Sequence, residues 1–236
     1  MTQKRAIIIV AGGTGTRMGG NMPKQFLLLA HKPVMVYTVE AFLRFDAAAE
    51  IVVVMYAAAM PQWMEILEAH FSAADRARIR TCVGGDERTD SVHRGLLLLQ
   101  AEVWQTPADG QWVAIHDAVR PFVHHQMLQQ AFDTANAHGS AVCAVPVKAS
   151  LRVITPTGSH AVERSVYREV QTPQIFPFAE LLQCYNTRPH NRFTDDASLY
   201  ESFGYAVTLC EGSYDNIKLT TPEDIYIGEQ LLGRGL

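Results

Sequence analysis

Residues 6–25, AIIIVAGGTGTRMGGNMPKQ, join an apolar run to a loop of glycines with two cations, a combination that could do phosphate chemistry. An apolar run over 6–11 reads as a strand buried on both faces, and it breaks at once into a glycine-rich loop. Gly12, Gly13 and Gly15 permit positive φ and bring bare backbone N–H groups close to an anion, where bulkier residues would stand in the way. Arg17 and Lys24, in and just after the loop, add two cations and suit a polyphosphate. Two more positions join this set. Asp117 ends an apolar strand over 112–116, where a carboxylate is seldom placed for packing, and Lys218 stands in a loop where a cation can hold a second phosphate.

Two better-known glycine loops do not fit. A P-loop requires Lys-Ser/Thr directly after its last glycine, and no such pair occurs. A dinucleotide-binding turn requires glycine three residues after Gly15, where Met18 stands, and an acid after the second strand, where Tyr56-Ala57-Ala58 stands.

The elements that must position these residues follow an alternating rhythm. Pro33 opens a helix carrying Met35, Val36, Val39, Phe42 and Leu43, and 51–55 is a second buried strand. Trp63, Ile66, Leu67, His70 and Phe71 mark a helix over 62–73, with His70 a packed or rim residue rather than a ligand. A weaker strand over 78–83 runs into Gly84-Gly85-Asp86-Glu87-Arg88, and a helix over 92–101 is capped by Asp90 or Ser91. The adjacent His124-His125 read as surface, because neighbours on a helix point apart. A helix over 126–138 stops at Gly139, and 141–147 is another buried strand. Two extended runs, 148–155 and 161–170, flank a Pro-Thr-Gly-Ser turn and read as a β-hairpin arm of the kind that embraces a partner subunit. A short helix over 177–186, a second opening at Thr194 or Asp195, a strand over 206–211 and a Thr221-Pro-Glu-Asp224 capping box complete the chain.

With 236 residues, 48% apolar and 19% charged, the chain fits one α/β domain spanning 1–236 with a single sizeable core. A formal charge of −4 argues against general nucleic-acid binding, so phosphate recognition must be local. Cys82, Cys143, Cys184 and Cys210 are scattered, form no C-x-x-C pair and read as reduced thiols. Lys4-Arg5 precedes an apolar run too short for a signal peptide, and 51–60 is about half a membrane span; the cytoplasm is the expected compartment and no membrane partner is expected.

Ala11-Gly-Gly-Thr-Gly-Thr-Arg-Met with Pro23-Lys-Gln-Phe26 resembles the signature loop of the nucleotidylyltransferases, and most closely that of the 2-C-methyl-D-erythritol 4-phosphate cytidylyltransferase family. Gly84-Gly-Asp-Glu-Arg88, His116-Asp-Ala-Val-Arg-Pro121, Gln171-Thr-Pro-Gln174, Thr194-Asp-Asp-Ala-Ser198 and Asp215-Asn-Ile-Lys218 extend the resemblance, in family order, over nearly the whole chain. It implies a Rossmann-like, mostly parallel sheet flanked by helices, similar to nucleotide-diphospho-sugar transferases, with a protruding dimerisation arm over 148–169. It implies transfer of CMP from CTP to methylerythritol phosphate, with Mg²⁺ held mainly by the nucleotide phosphates rather than by a protein metal site.

By the same resemblance Arg17, Lys24, Lys218 and Arg164 are catalytic, with Arg164 reaching the neighbouring site of a homodimer. Ala11, Gly12, Gly13, Thr14, Gly15, Gly85, Asp86, Ser91 and Ala118 would contact CTP, and Asp117, Ser150, Thr172 and Thr194 the acceptor. One departure stands out: the family usually carries Asp-Thr where this chain has Ala149-Ser150, so one carboxylate is missing at the arm's base. Ribitol-5-phosphate cytidylyltransferase, which shares the first loop, is the alternative within the same chemistry. A non-catalytic nucleotide-binding module and a dinucleotide-dependent oxidoreductase are the alternatives outside it, the latter disfavoured by Met18.

Overall fold

The computed structural model of the chain describes residues 3–12, 23–189 and 193–234. β1 (Lys4–Ala11) is followed by a 3-10 turn at Lys24–Phe26 and a small ribbon of β2 (Leu28–Leu29) and β3 (Lys32–Pro33). Next come α1 (Val34–Phe45), β4 (Glu50–Met55), α2 (Met60–His70), α3 (Ala73–Arg76), β5 (Ile79–Val83) and α4 (Arg88–Glu102). β6 (Gln111–Asp117), α5 (His125–His138) and β7 (Ala141–Pro146) continue the alternation. β8 (Arg152–Thr155) and β9 (Gly158–Ala161) form a hairpin; β10 (Arg168–Pro177), α6 (Phe178–Asn186), α7 (Asp196–Ser202), β11 (Leu209–Glu211) and α8 (Pro222–Leu232) close the order.

Seven strands form one sheet in the order β11-β7-β10-β6-β1-β4-β5. β1 runs parallel to both β4 and β6, β4 to β5, and β7 to β11, while β10 lies antiparallel between β6 and β7. The architecture is therefore α/β with a mostly parallel, Rossmann-like sheet. Because side chains alternate along a strand, the sheet has two apolar faces. Ile7, Ile9, Ile51 and Val53 pack with α1, α2 and α5, whereas Ala6, Ile8, Val52 and Val54 pack with α4 and α6. These eight are essentially fully buried, and each large aliphatic among them contributes about 1.5–3 kcal/mol relative to exposure. Gly95 brings α4 close to the sheet, since a Cβ there would stand 2.8 Å from Ile8.

Local signals set most boundaries. Thr221 caps α8 and Asp224 closes its capping box; Gly139 ends α5 with φ +87°. His70 is exposed at the end of α2, and His124 does structural work by accepting from the Met127 N–H as the cap of α5. The cap expected at Asp90 or Ser91 is displaced: Glu87 caps α4 and Asp90 closes the box, so the helix begins at Arg88. This start lets Ser91 turn inward from the first turn, where its hydroxyl accepts from Gly85 N–H at 3.2 Å and donates to the Glu87 carbonyl at 3.2 Å.

The second extended run expected over 161–170 divides. β9 ends at Ala161, a 3-10 turn occupies Arg164–Val166, and Arg168 already starts β10. The reason lies downstream: 171–176 are buried and Gln174 to Pro177 pair with β6, so this segment belongs to the sheet rather than to the arm. Among the described residues no helix is long and apolar enough to cross a membrane.

Candidate active site

In a parallel sheet the loops after the strands gather at the carboxyl edge. Here the ends of β1, β5 and β6 and the loop before α8 meet around a cavity of about 400 Å³. Ala11, Gly12, Lys24, Gly85, Asp86, Ser91, Asp117, Ala118 and Lys218, all named among the expected site residues, line it. Gly13, Thr14, Gly15 and Arg17 lie outside the described residues. A second lobe of about 270 Å³ shares Asp117 and Lys218 with the first and adds Thr172 and Thr194. Arg164 and Ser150 line neither lobe; both are exposed, and Arg164 donates to the Lys148 carbonyl at the arm's base.

The first lobe sets backbone and small residues such as Ala11, Gly12, Gly85 and Ala118 among the charged side chains of Lys24, Asp86, Glu87, Arg88, Asp117 and Lys218. Gln25, fully buried, donates from its amide to the Ala11 carbonyl at 3.0 Å and ties the Lys24 turn to the end of β1. At Gly85 a Cβ would fall 2.2 Å from the Asp90 Cβ, so only glycine lets this turn close against α4. Ala118 is held from both sides: its N–H donates to the Val10 carbonyl and its carbonyl accepts from the Thr38 hydroxyl. The N–H groups of Gly84, Gly85 and Ala118 are all engaged within the protein, so these bonds fix the shape of the wall before a ligand arrives.

Charge dominates where the lobes join. Asp117, nearly buried, receives Lys218 Nζ at 2.9 Å and Arg120 Nε at 3.4 Å on Oδ2, with Arg88 Nε 3.7 Å from Oδ1. Burial alone would raise its pKa, but Arg88, Lys218 and Arg120 hold the carboxyl well below the usual carboxylate range. Arg88 in turn donates to buried Asp196 at 2.7 Å, and Asp196 accepts from the Tyr185 hydroxyl at 2.5 Å. Burial works against the Arg88 charge, and Asp196 and then Asp117 more than restore it. Arg120 also donates to the Asn216 carbonyl at 2.7 Å, which joins the strand-end loop to the one carrying Lys218.

β10 supplies the far wall. Its ladder with β7 shifts register between Val170 and Gln174, releasing the intervening residues toward the cleft. Gln171 bonds both backbone groups of Ser213, and Asn216 donates to the Thr172 carbonyl at 2.8 Å. Gln174 holds the start of α7 through Asp195 and the Ala197 N–H. Behind this wall His116, fully buried, bonds the Arg120 carbonyl and the Thr172 hydroxyl, and burial lowers its pKa to about 4.

Several lining residues were quoted in the sequence motifs without a role: Gln25, Arg88, Arg120, Gln171 and Gln174. For Arg88 and Asp196, 108 residues apart, nothing in the sequence signals their pairing. Among the described residues no group of three His, Cys, Asp or Glu side chains could hold a metal ion. Asp117 is a carboxylate shared by both lobes, already met by three cations, so Mg²⁺ fits here only with most of its ligands supplied by phosphates and water.

A cleft of this form sets Lys24 beside one lobe and Lys218 and Arg120 beside the other, so each lobe can receive an anion. The family model described as 2-C-methyl-D-erythritol 4-phosphate cytidylyltransferase matches residues 5–234. Relatives of that name from Bacteroides thetaiotaomicron and Porphyromonas gingivalis are 40% and 41% identical, covering 97% and 98% of this chain and 100% and 99% of their own lengths. The crystal structure of the Thermus thermophilus protein of the same name superimposes with a TM-score of 0.74 at 29% identity, covering 98% of each chain. Sequence motifs, sheet order and cleft thus agree, and the chain belongs to the 2-C-methyl-D-erythritol 4-phosphate cytidylyltransferase family.

Proposed function

We infer that the chain transfers the cytidylyl group of CTP to 2-C-methyl-D-erythritol 4-phosphate, forming 4-diphosphocytidyl-2-C-methyl-D-erythritol and pyrophosphate for isoprenoid precursor synthesis. The observation that carries this reading is the pair of lobes at the carboxyl edge, one walled by backbone and Lys24, the other by Arg120 and Thr172, with Asp117 and Lys218 in both.

In this reaction an oxygen of the acceptor's phosphate attacks the α-phosphorus of CTP, and the bond from that phosphorus to the bridging oxygen of pyrophosphate breaks. No strong base is needed, since a phosphate monoester has a second pKa of about 6 and is mostly dianionic at neutral pH. The barrier is the meeting of two anions. Loop N–H groups, Arg17 and Lys24 stabilise the negative charge on the triphosphate, and Lys218 and Arg120 draw in the acceptor's phosphate. Asp117 orients acceptor hydroxyls while keeping those two cations in place. Mg²⁺, when bound, would supply further charge neutralisation and would be held mainly by the phosphates.

The arm serves a second copy of the chain. Arg164 lines neither lobe of its own chain, and Ile154 and Val166 on the same segment are 80% and 75% exposed; both features support an arm whose apolar face is covered by a partner. Arg164 would then join Lys218 at the partner's acceptor phosphate, with exposed Ser150 at the arm's base. The free thiols of Cys143 and Cys210, only 3.5 Å apart, support work in a reducing compartment such as the cytoplasm.

The deciding experiment is pyrophosphate release with CTP, UTP, ATP and GTP against methylerythritol phosphate and ribitol phosphate. The reading requires CTP with methylerythritol phosphate to exceed every other pair; a preference for ribitol phosphate would replace it. Mixing Arg164→Ala with Lys24→Ala, each nearly inactive alone, should restore part of the activity, because one hybrid site keeps both cations. No recovery after demonstrated subunit exchange rules out the arm acting in trans.

A further inference from the structure

His116, buried behind the junction of the two lobes, is not needed by the mechanism above, yet its two nitrogens touch two parts of the cleft wall. Nε2 lies 3.0 Å from the Arg120 carbonyl oxygen. A carbonyl only accepts, so Nε2 carries the proton. Nδ1 lies 3.1 Å from Thr172 Oγ1. The ring is fully buried, with cationic Arg120 and Lys218 gathered on the neighbouring Asp117, and both circumstances oppose an imidazolium. Nδ1 is therefore a bare acceptor, and the Thr172 hydroxyl donates its one proton to it. The same Oγ1 accepts from the Asp117 N–H at 3.1 Å. One lone pair remains and no proton.

We propose that His116 is a positioning residue for the acceptor: by consuming the Thr172 proton it makes that hydroxyl a pure hydrogen-bond acceptor, which admits a donating hydroxyl of the polyol and refuses a phosphate oxygen. The inference rests on the polyol-phosphate reading and deepens it. Thr172 lines the second lobe with Arg120 and Lys218, so a hydroxyl that only accepts shares the lobe with two cations that only donate. A polyol phosphate enters in one direction, phosphate toward the cations and a hydroxyl toward Thr172. An unpaired buried acceptor disfavours any acceptor molecule lacking that hydroxyl.

The test has two independent arms. In the first, full-length protein carrying ¹⁵N-labelled histidine is examined by NMR at pH 7.5, the His116 signals being assigned by their change in Thr172→Val and, where it folds, in His116→Gln. The expected spectrum shows a protonated Nε2 and an unprotonated Nδ1; a proton on Nδ1 overturns the proposal. In the second, kcat/KM is measured with the polyol phosphate and with analogues in which each hydroxyl in turn is replaced by hydrogen. Wild type should lose at least about tenfold with one of them, Thr172→Ser should keep that discrimination, and Thr172→Val should reduce it to within about twofold. Discrimination unchanged in Thr172→Val overturns the proposal. If ribitol phosphate proves the better acceptor, the functional reading fails while the same series, built on ribitol phosphate, still decides this one. Without turnover on any acceptor, the NMR arm decides alone.

Discussion

Ala11, Gly12, Gly85 and Ala118 line one lobe of the cleft, whereas Arg120, Gln171, Thr172 and Gln174 line the other. The first lobe takes much of its shape from backbone, with turns that glycine lets close tightly, and sets Lys24, Asp86 and Lys218 around it. The second is built from side chains, which are held by groups from distant parts of the chain: Arg120 by the Asn216 carbonyl, Gln171 by the Ser213 backbone, Thr172 by His116 and Gln174 by Asp195. A backbone site suits a ligand whose phosphates are the same in every nucleotide. A side-chain site suits a ligand that must be told apart by its hydroxyls. The difference also predicts how each lobe fails.

The largest effect is expected in the first lobe. Lys24→Ala should lower kcat by about 10²–10³, the usual loss when one preorganised electrostatic partner is removed, while circular dichroism shows an intact fold. Activity near wild type would mean that the backbone alone suffices there. At the junction, Asp117→Asn leaves Lys218, Arg120 and Arg88 without their shared carboxylate, and removing one partner of such a buried group costs about 3 kcal/mol or more. Denaturant unfolding should register that loss together with a raised KM for the acceptor; an unchanged midpoint would show the cluster to be solvated.

Gly85→Ala should act on the first lobe without touching a charge. Its Cβ would collide with Asp90, and overpacking of this kind costs about 1–3 kcal/mol. The expected kinetic signature is a raised KM for CTP with the acceptor KM little altered, and the reverse pattern would assign this turn to the wrong lobe. The smallest effect per step is in pH. His116 titrates near 4 in the folded protein against about 6.5 in an unfolded chain. Between those values the unfolded chain binds a proton that the folded one does not, so stability falls as pH drops through that window, by up to about 1.4 kcal/mol per pH unit. Asp117, whose pKa is depressed, adds stability that is present above about 3.9 and lost only as pH falls below it. Unfolding free energies measured from pH 7 to 4 should show this slope, and Lys218 and Arg120 beside the ring oppose its early protonation.

The same contrast explains what was legible in the sequence. The apolar run of β1, the glycines, Lys24 and the turn at Gly85 lie within short stretches whose local chemistry is visible, and the helices around them announce themselves by periodicity and by caps such as Thr221. Glu87 was missed as a cap because Asp90 and Ser91 satisfy the same local rule and only the start of the helix decides between them. The run expected over 161–170 takes in only the first residues of β10, and no strand is expected beyond it because Gln171, Thr172 and Gln174 lack the pattern of a buried strand. They are buried because each finds a partner elsewhere, in Ser213, His116 and Asp195. Such pairings are created by folding, and local spacing carries no trace of them.

β10 enters the middle of the sheet directly from the arm, with Arg168 paired to Pro146 where the chain leaves and returns. Thr172 follows only a few residues along that same strand. The 3-10 turn at Arg164–Val166 and a short stretch of β10 are all that separate the hairpin from the wall of the second lobe. The base of the arm and the acceptor's wall are neighbouring stretches of one strand, so a change in how the arm lies would reach the polyol side of the cleft before the nucleotide side.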